Sequence, residues 1–150
     1  MKRGVDYIGV GIGAVVVNRD GKLFLSKRGK HAQNEKGKWE LPGGALEFGD
    51  SFEATIIREM KEEFDITVQI VDTLEPFNHL IPEEHQHWVA LCFMCKLVGG
   101  TPKIVEPDKS EQIGWFDVSE LDNLPLTLPA QYRLKQIRQK YPKGIPNYYD

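Results

Sequence analysis

The chain has 150 residues, 41% of them hydrophobic and 27% charged, which is the make-up of one soluble globular domain with enough chain to bury a core. A formal net charge of -3 excludes the broad basic field that draws proteins onto DNA or RNA, so no nucleic-acid partner is expected. No apolar run is long enough for a transmembrane helix, and no membrane partner is expected.

Lys2 and Arg3 precede a mostly apolar stretch, residues 5–17, that faintly resembles a secretory leader. Asp6 interrupts it and Gly9, Gly11 and Gly13 disfavour a helix there. Residues 10–17 read better as a buried strand, and the expected location is cytoplasmic. Asp20-Gly21 is a hairpin signal, with the returning strand at 23–26. Residues 29–38 are polar and glycine-containing, hence a surface loop. A short apolar piece, 39–41, runs into Pro42-Gly43-Gly44.

A strong helix follows. Asp50 or Ser51 caps it, with Glu53 three residues after Asp50 at capping-box spacing. Phe52, Ile56, Met60 and Phe64 recur every four residues, with Ile57 beside them, and mark one buried face. The helix ends near Phe64, leaving Asp65 where the backbone often turns left-handed. Residues 66–74 and 87–98 read as strands, separated by a loop or ragged hairpin end at 75–86. Residues 114–118 form a short strand. Residues 129–141 form a second helix, basic on one side, with Tyr132, Leu134 and Ile137 available for packing. The pattern predicts an α/β fold, a mixed central sheet sandwiched by helices, with residues 1–150 as one domain.

Cys92 and Cys95 have C-x-x-C spacing. Inside a strand, positions three apart point to opposite faces, so both are expected as buried, reduced thiols. One such pair cannot complete a zinc site.

Chemistry concentrates in residues 44–66. Glu59, Glu62 and Glu63 fall at i, i+3 and i+4, so they share one helix face bordering the apolar stripe, with Glu63 nearest to it. Such a cluster repels itself unless a cation sits among its members, and a hard divalent ion such as Mg²⁺ prefers oxygen ligands and substrate phosphates. The bland alternative is a solvated acidic face. The flanking residues decide against it: Gly43 and Gly44 allow close approach of backbone to a ligand, and Arg58, eight residues after Asp50, is placed to pair with it.

This segment resembles the Nudix box, G-x5-E-x7-R-E-U-x-E-E-x-G-U, with U a bulky apolar residue. Gly44, Asp50 and Arg58-Glu59-Met60-Lys61-Glu62-Glu63-Phe64-Asp65-Ile66 match it in length and register over 23 positions, with Asp50 in place of Glu and Asp65 in place of Gly. Both departures look structural. Outside the box, Val10-Gly11-Ile12-Gly13, Lys27-Arg28, residues 41–49, His87-Trp88-Val89 and residues 105–109 look like the MutT-homologue branch, which hydrolyses nucleoside triphosphates.

The resemblance implies a Nudix-type α/β/α sandwich and a set of roles. Glu59, Glu62 and Glu63 bind Mg²⁺, or Mn²⁺ in its place, and metal-activated water attacks phosphorus. Glu62, Glu63 and Glu111 are the candidate general bases. Asp50 and Arg58 are structural within the box, and Gly43 and Gly44 belong to the substrate loop. Arg28 is a candidate phosphate contact because a guanidinium meets phosphate oxygens in pairs. Phe24, Trp39 and Phe77 are candidates to stack a base, set against the commoner role of strand aromatics as core. His79, His85 and His87 are read as surface or substrate-loop residues. The resemblance also implies a nucleotide substrate and a homodimer. Two other readings stand beside this one: an ADP-ribose or nucleotide-sugar pyrophosphatase, towards which Pro82 points weakly, and a non-catalytic nucleotide sensor, which ought to have lost box carboxylates that are all present here.

Overall fold

The computed structural model describes residues 1–150. Seven strands, β1 (Gly9–Val17), β2 (Leu23–Arg28), β3 (Trp39–Glu40), β4 (Gly43–Ala45), β5 (Thr67–Ile81), β6 (Gln86–Gly99) and β7 (Ser110–Phe116), build one mixed sheet. Its order is β3-β2-β1-β6-β5, with β4 added to β1 and β7 to β2. Strand β1 runs parallel to β6 in unbroken register from Gly9↔Trp88 to Val17↔Lys96, and the other pairings are antiparallel.

Alternation along the central strands sends side chains to two separate cores. Val15 and Val17 join Leu23, Leu25 and the inner face of α2 (Leu128–Lys140), namely Ala130, Leu134 and Ile137. Ile12, Ala14, Val16 and Phe24 pack instead with Ile56, Met60 and Phe64 of α1 (Phe52–Phe64). This is the α/β/α sandwich expected from the sequence. Cys92 belongs to the first core and Cys95 to the second, both as free thiols on opposite faces of β6. No helix is long and apolar enough to cross a membrane.

Three local expectations need correction. First, Phe52 and Ile57 do not lie in the buried stripe of α1: both are exposed, the buried residues of the helix being Thr55, Ile56, Met60 and Phe64, and Phe52 leans on Phe93. Second, residues 75–86 are not mainly loop. Strands β5 and β6 continue as one long hairpin to a turn at Pro82–Glu84. Shifts of register at Ile70/Asp72 and Leu74/Phe77 break the alternation that would have announced it. Pro76 is tolerated there because β5 is the edge of the sheet. Third, Gly43–Ala45 is a strand paired with Gly11–Gly13 rather than loop.

The ends of α1 are set locally. Ser51, rather than Asp50, caps the helix: its Oγ accepts from the Ala54 amide at 3.0 Å. Asp65 closes it in the left-handed conformation, φ 55°. An aspartate holds this position with help from Lys61 at 2.7 Å and Lys103 at 3.5 Å, which keep its carboxyl below the usual range, Lys61 being the larger cause.

Met60 is fully buried between α1 and the sheet. Met60→Ala is expected to lower the free energy of unfolding by about 2–5 kcal/mol, read as a lower urea midpoint at unchanged slope.

Candidate active site

Strands β1 and β2 share a single Cα pairing, Val17↔Leu23. Beyond it they part: β1 takes β4 as its neighbour, while β2 takes β3 and β7. The wedge left between them is a cleft of about 510 Å³. Its walls include Gly11–Gly13 from β1, Ser26 and Arg28 from β2, Glu40–Gly44, Glu63 from α1, and Phe77, Ala90 and Arg133 from β5, β6 and α2.

The box glycines are explained by space rather than by backbone angle, since neither has a positive φ. A Cβ on Gly43 would sit 2.2 Å from the Ile12 carbonyl oxygen, inside the β1–β4 pairing. A Cβ on Gly44 would sit 2.3 Å from Cδ of Glu59. Gly43 therefore lets β4 close on β1, and Gly44 leaves room for the Glu59 carboxylate.

Of the three clustered glutamates Glu59, Glu62 and Glu63, Glu63 lines the cleft and Glu59 lies against Gly44, each of these two side chains 16% exposed. Glu62 is exposed on the outer flank. Arg58 anchors the segment: it donates to Asp50 and lies 3.7 Å from Glu59, and its Nη2 is buried with no hydrogen-bond partner. Burial pushes the Glu63 carboxyl up to about 7, with the Glu59 charge adding to it and Lys109 opposing it. Glu59 is raised by burial too, partly offset by Arg58. No donor lies within hydrogen-bonding distance of Glu63, and its nearest cation, Lys109, is 3.7 Å away. Shielded carboxylates that repel one another and lack donors suit a hard divalent cation. Glu59, Glu62 and Glu63 are not gathered into one ligand set, and nowhere do three or more His, Cys, Asp or Glu side chains converge tightly enough to hold an ion. Mg²⁺ sites of few carboxylates completed by substrate phosphates and water fit such a donor set.

Other sequence candidates fall differently. Arg28 lines the cleft, but its guanidinium is engaged by Glu40 at 3.0 Å and by Asn34 at 3.1 Å. Glu111 does not join the α1 carboxylates: it is exposed and pairs with Lys27 at 3.5 Å. The register shift between Lys27 and Arg28 leaves Glu111 as the residue of β7 without a partner in the pairing. Phe24 and Trp39 are core, whereas Phe77 and His79 line the cleft. His85 makes the left-handed hairpin turn and His87 meets Asn78. Pro82 starts that turn, away from the cleft. Sequence reasoning gave no individual role to Lys109, Glu40 or Arg133. Lys109 and Glu106 form an ion pair at 3.0 Å beside Glu63, so the 105–109 segment brings charge to the site that no helical spacing reveals.

A sheet split over a carboxylate-bearing helix that follows a Gly-Gly strand defines a class, and the family model "NUDIX domain" matches residues 8–137. The chain belongs to the Nudix family, on its MutT-like side. It is similar to the MutT NUDIX hydrolase structure from Burkholderia pseudomallei, with 35% identity, a TM-score of 0.79, and 87% of this chain and 98% of that one covered. Among curated proteins it is 31% identical to Nudix hydrolase 5 of Arabidopsis thaliana over 142 residues, 88% of this chain and 47% of the relative. It is 28% identical to the 8-oxo-dGTP diphosphatase of Escherichia coli over 124 residues, 82% and 93% of the two chains. The ADP-ribose pyrophosphatase of Methanocaldococcus jannaschii is 28% identical over 109 residues, 73% and 62% of the two chains. The chain spans about half the length of the Arabidopsis relative.

Two predictions follow from this geometry. Gly43→Ala forces backbone against backbone and is expected to cost several kcal/mol of stability. Gly44→Ala meets the far end of a flexible side chain and is expected to leave the melting temperature nearly unchanged while displacing Glu59, which weakens Mg²⁺ binding by calorimetry. The second concerns pH. A carboxyl raised from 4.5 unfolded to about 7 folded contributes stability that is complete below the unfolded value and lost as pH rises through the folded one. Metal-free protein is therefore expected to lose up to about 3 kcal/mol of unfolding free energy between pH 5 and pH 8. Glu63→Gln is expected to remove most of that slope in urea titrations, and added Mg²⁺ is expected to stabilise wild type more at pH 8 than at pH 6.

Proposed function

We propose that residues 1–150 act as one catalytic domain that hydrolyses a nucleoside triphosphate to the monophosphate and pyrophosphate, using metal-activated water. The observation that carries this reading is the single cleft joining a shielded carboxylate, Glu63, to the aromatic side chain of Phe77. One part suits phosphates with cations, the other a flat base.

Glu59 and Glu63, the two shielded carboxylates, are the residues that would hold Mg²⁺, or Mn²⁺ in its place, and Glu62 on the outer flank would add charge without entering the cleft. When bound, the ion supplies charge neutralisation on the phosphate oxygens and acidifies water. Glu63, which faces the cleft, is the carboxylate placed to accept a proton from an attacking water. Lys109, exposed and flexible beside Glu63, meets phosphate oxygens as a point charge. Arg58 holds Glu59 through charge while its own position is held by Asp50. Arg28, occupied by Glu40 and Asn34, shapes the phosphate end and keeps the Glu40 carboxylate compensated. The second reading, cleavage of ADP-ribose or a nucleotide sugar, draws on the similarity to the Methanocaldococcus jannaschii enzyme.

The test is phosphate release with Mg²⁺ across common, oxidised and methylated nucleoside triphosphates, ADP-ribose and sugar nucleotides, with coupling enzymes that count pyrophosphate and monophosphates. Turnover of triphosphates is expected, falling about 10²–10⁴-fold in kcat for Glu63→Gln. Turnover of ADP-ribose alone supports the second reading. Tight binding without turnover of any member would instead make the domain a sensor.

A further inference from the structure

Helix α2 turns its first two turns to the cleft through Thr127, Pro129, Ala130 and Arg133. Arg133 is a cation only 4% exposed, and no carboxylate pairs with it. Its guanidinium donates instead to neutral oxygens: the Glu75 carbonyl at 2.6 Å, the Ala90 carbonyl at 2.9 Å and Gln136 Oε1 at 2.7 Å. The Gln136 amide donates to the same Glu75 carbonyl at 2.9 Å. Two α2 side chains thus converge on one backbone oxygen of β5.

That oxygen lies within the irregularity between Leu74 and Phe77, where β5 slips register against β6. A bulge bends its strand and re-aims the side chains beyond it. The first residue back in register is Phe77, paired with Ala90, and both line the cleft. The Arg133 guanidinium carbon stands 4.6 Å from the Phe77 ring centroid, and the Tyr132 ring lies 4.1 Å from it. One arginine therefore holds the bulge, the strand opposite it and the ring that follows. Lysine, a single point charge, cannot span two carbonyls in the plane of a guanidinium fork.

We propose that Arg133 is a positioning residue for substrate selection: it locks the β5 bulge so that Phe77 stands as an aromatic wall for the planar heterocycle of a nucleotide. The proposal rests on the hydrolase reading above and adds to it the residue that governs grip on the base. Selection then comes from α2 and β5, outside the carboxylate helix, and its loss weakens binding without touching the chemistry.

The experiment uses the full chain with Mg²⁺ and the best triphosphate of the panel, comparing wild type with Arg133→Gln, Phe77→Leu, the double variant and Gln136→Ala. Arg133→Gln and Phe77→Leu are each expected to raise KM about tenfold, the scale of one lost base–aromatic stack, with kcat within about twofold. The double variant is expected to match the worse single one, because both remove the same wall. Gln136→Ala, at a half-buried position of α2, removes one of the two donors to Glu75 and one acceptor of Arg133, and is expected to give a smaller rise, about twofold to threefold. KM unchanged in Arg133→Gln, additive effects in the double variant, or a fall in kcat equal to the rise in KM overturns the proposal. If Arg133→Gln fails to fold, Phe77→Leu and Gln136→Ala decide, and unchanged KM in either overturns it. Absence of turnover by wild type on every panel member removes the hydrolase reading and this inference together, whereas turnover with KM indifferent to these changes removes only this inference.

Discussion

Glu59 and Glu63 stand one helical turn apart with their carboxylates mostly shielded from water, and like charges so placed repel. Left alone, that arrangement would fray α1 or turn the side chains outward. Ile56, Met60 and Phe64 prevent it by fixing α1 to the sheet on the adjoining stripe. Because Glu63 follows Met60 by three residues and precedes Phe64 by one, the packed core sets where its side chain leaves the helix, beside the cleft. Arg58 then supplies charge from the other side, held in place by Asp50. The site is thus a repulsive electrostatic arrangement kept in being by packing, and a bound divalent cation would relieve it.

The cleft has a similar origin in conflict between pairings. Strand β1 serves β6 along its full length, yet gives β2 only one Cα partner. Where β2 departs, β4 takes over on β1, and Gly43 is what permits the exchange, since any side chain there would strike the Ile12 carbonyl. The departure of β2 opens the wedge, and the next glycine, Gly44, cedes its volume to Glu59. Two neighbouring glycines therefore do different things: one joins the sheet, the other makes room for the Glu59 carboxylate.

Periodicity made α1 legible, because its stripe, its cap and the spacing of its glutamates are all contained within about four turns. The two-core sandwich was legible from the apolar strands, and the opposite placement of Cys92 and Cys95 followed from strand alternation alone. Long-range register was not. The slip at Leu74/Phe77 broke the alternation and hid the outer half of the β5–β6 hairpin. Lys109 approaches Glu63 across 46 positions of sequence, and Glu111, so close to it in the chain, faces Lys27 instead. Such placements depend on how β7 lies against β2, which no window of sequence contains.

The same distinction bears on how substrates are told apart. The carboxylate helix is specified by local rules, so a chain that keeps those rules keeps the phosphate end. Asp65 shows how little the rules bend: a left-handed residue is required at the close of α1, and aspartate fills it with two lysines to hold its charge. The far wall answers to no such local rule. It is assembled from a bulge in β5, a small residue in β6 and a buried arginine in α2, three elements brought together only by the finished fold. Under the proposed role of Arg133, moving that register slip or replacing the buried cation would change the grip on the base and leave the carboxylate helix as it is. Resemblance in the box accordingly says more about the bond that is cut than about the molecule that carries it.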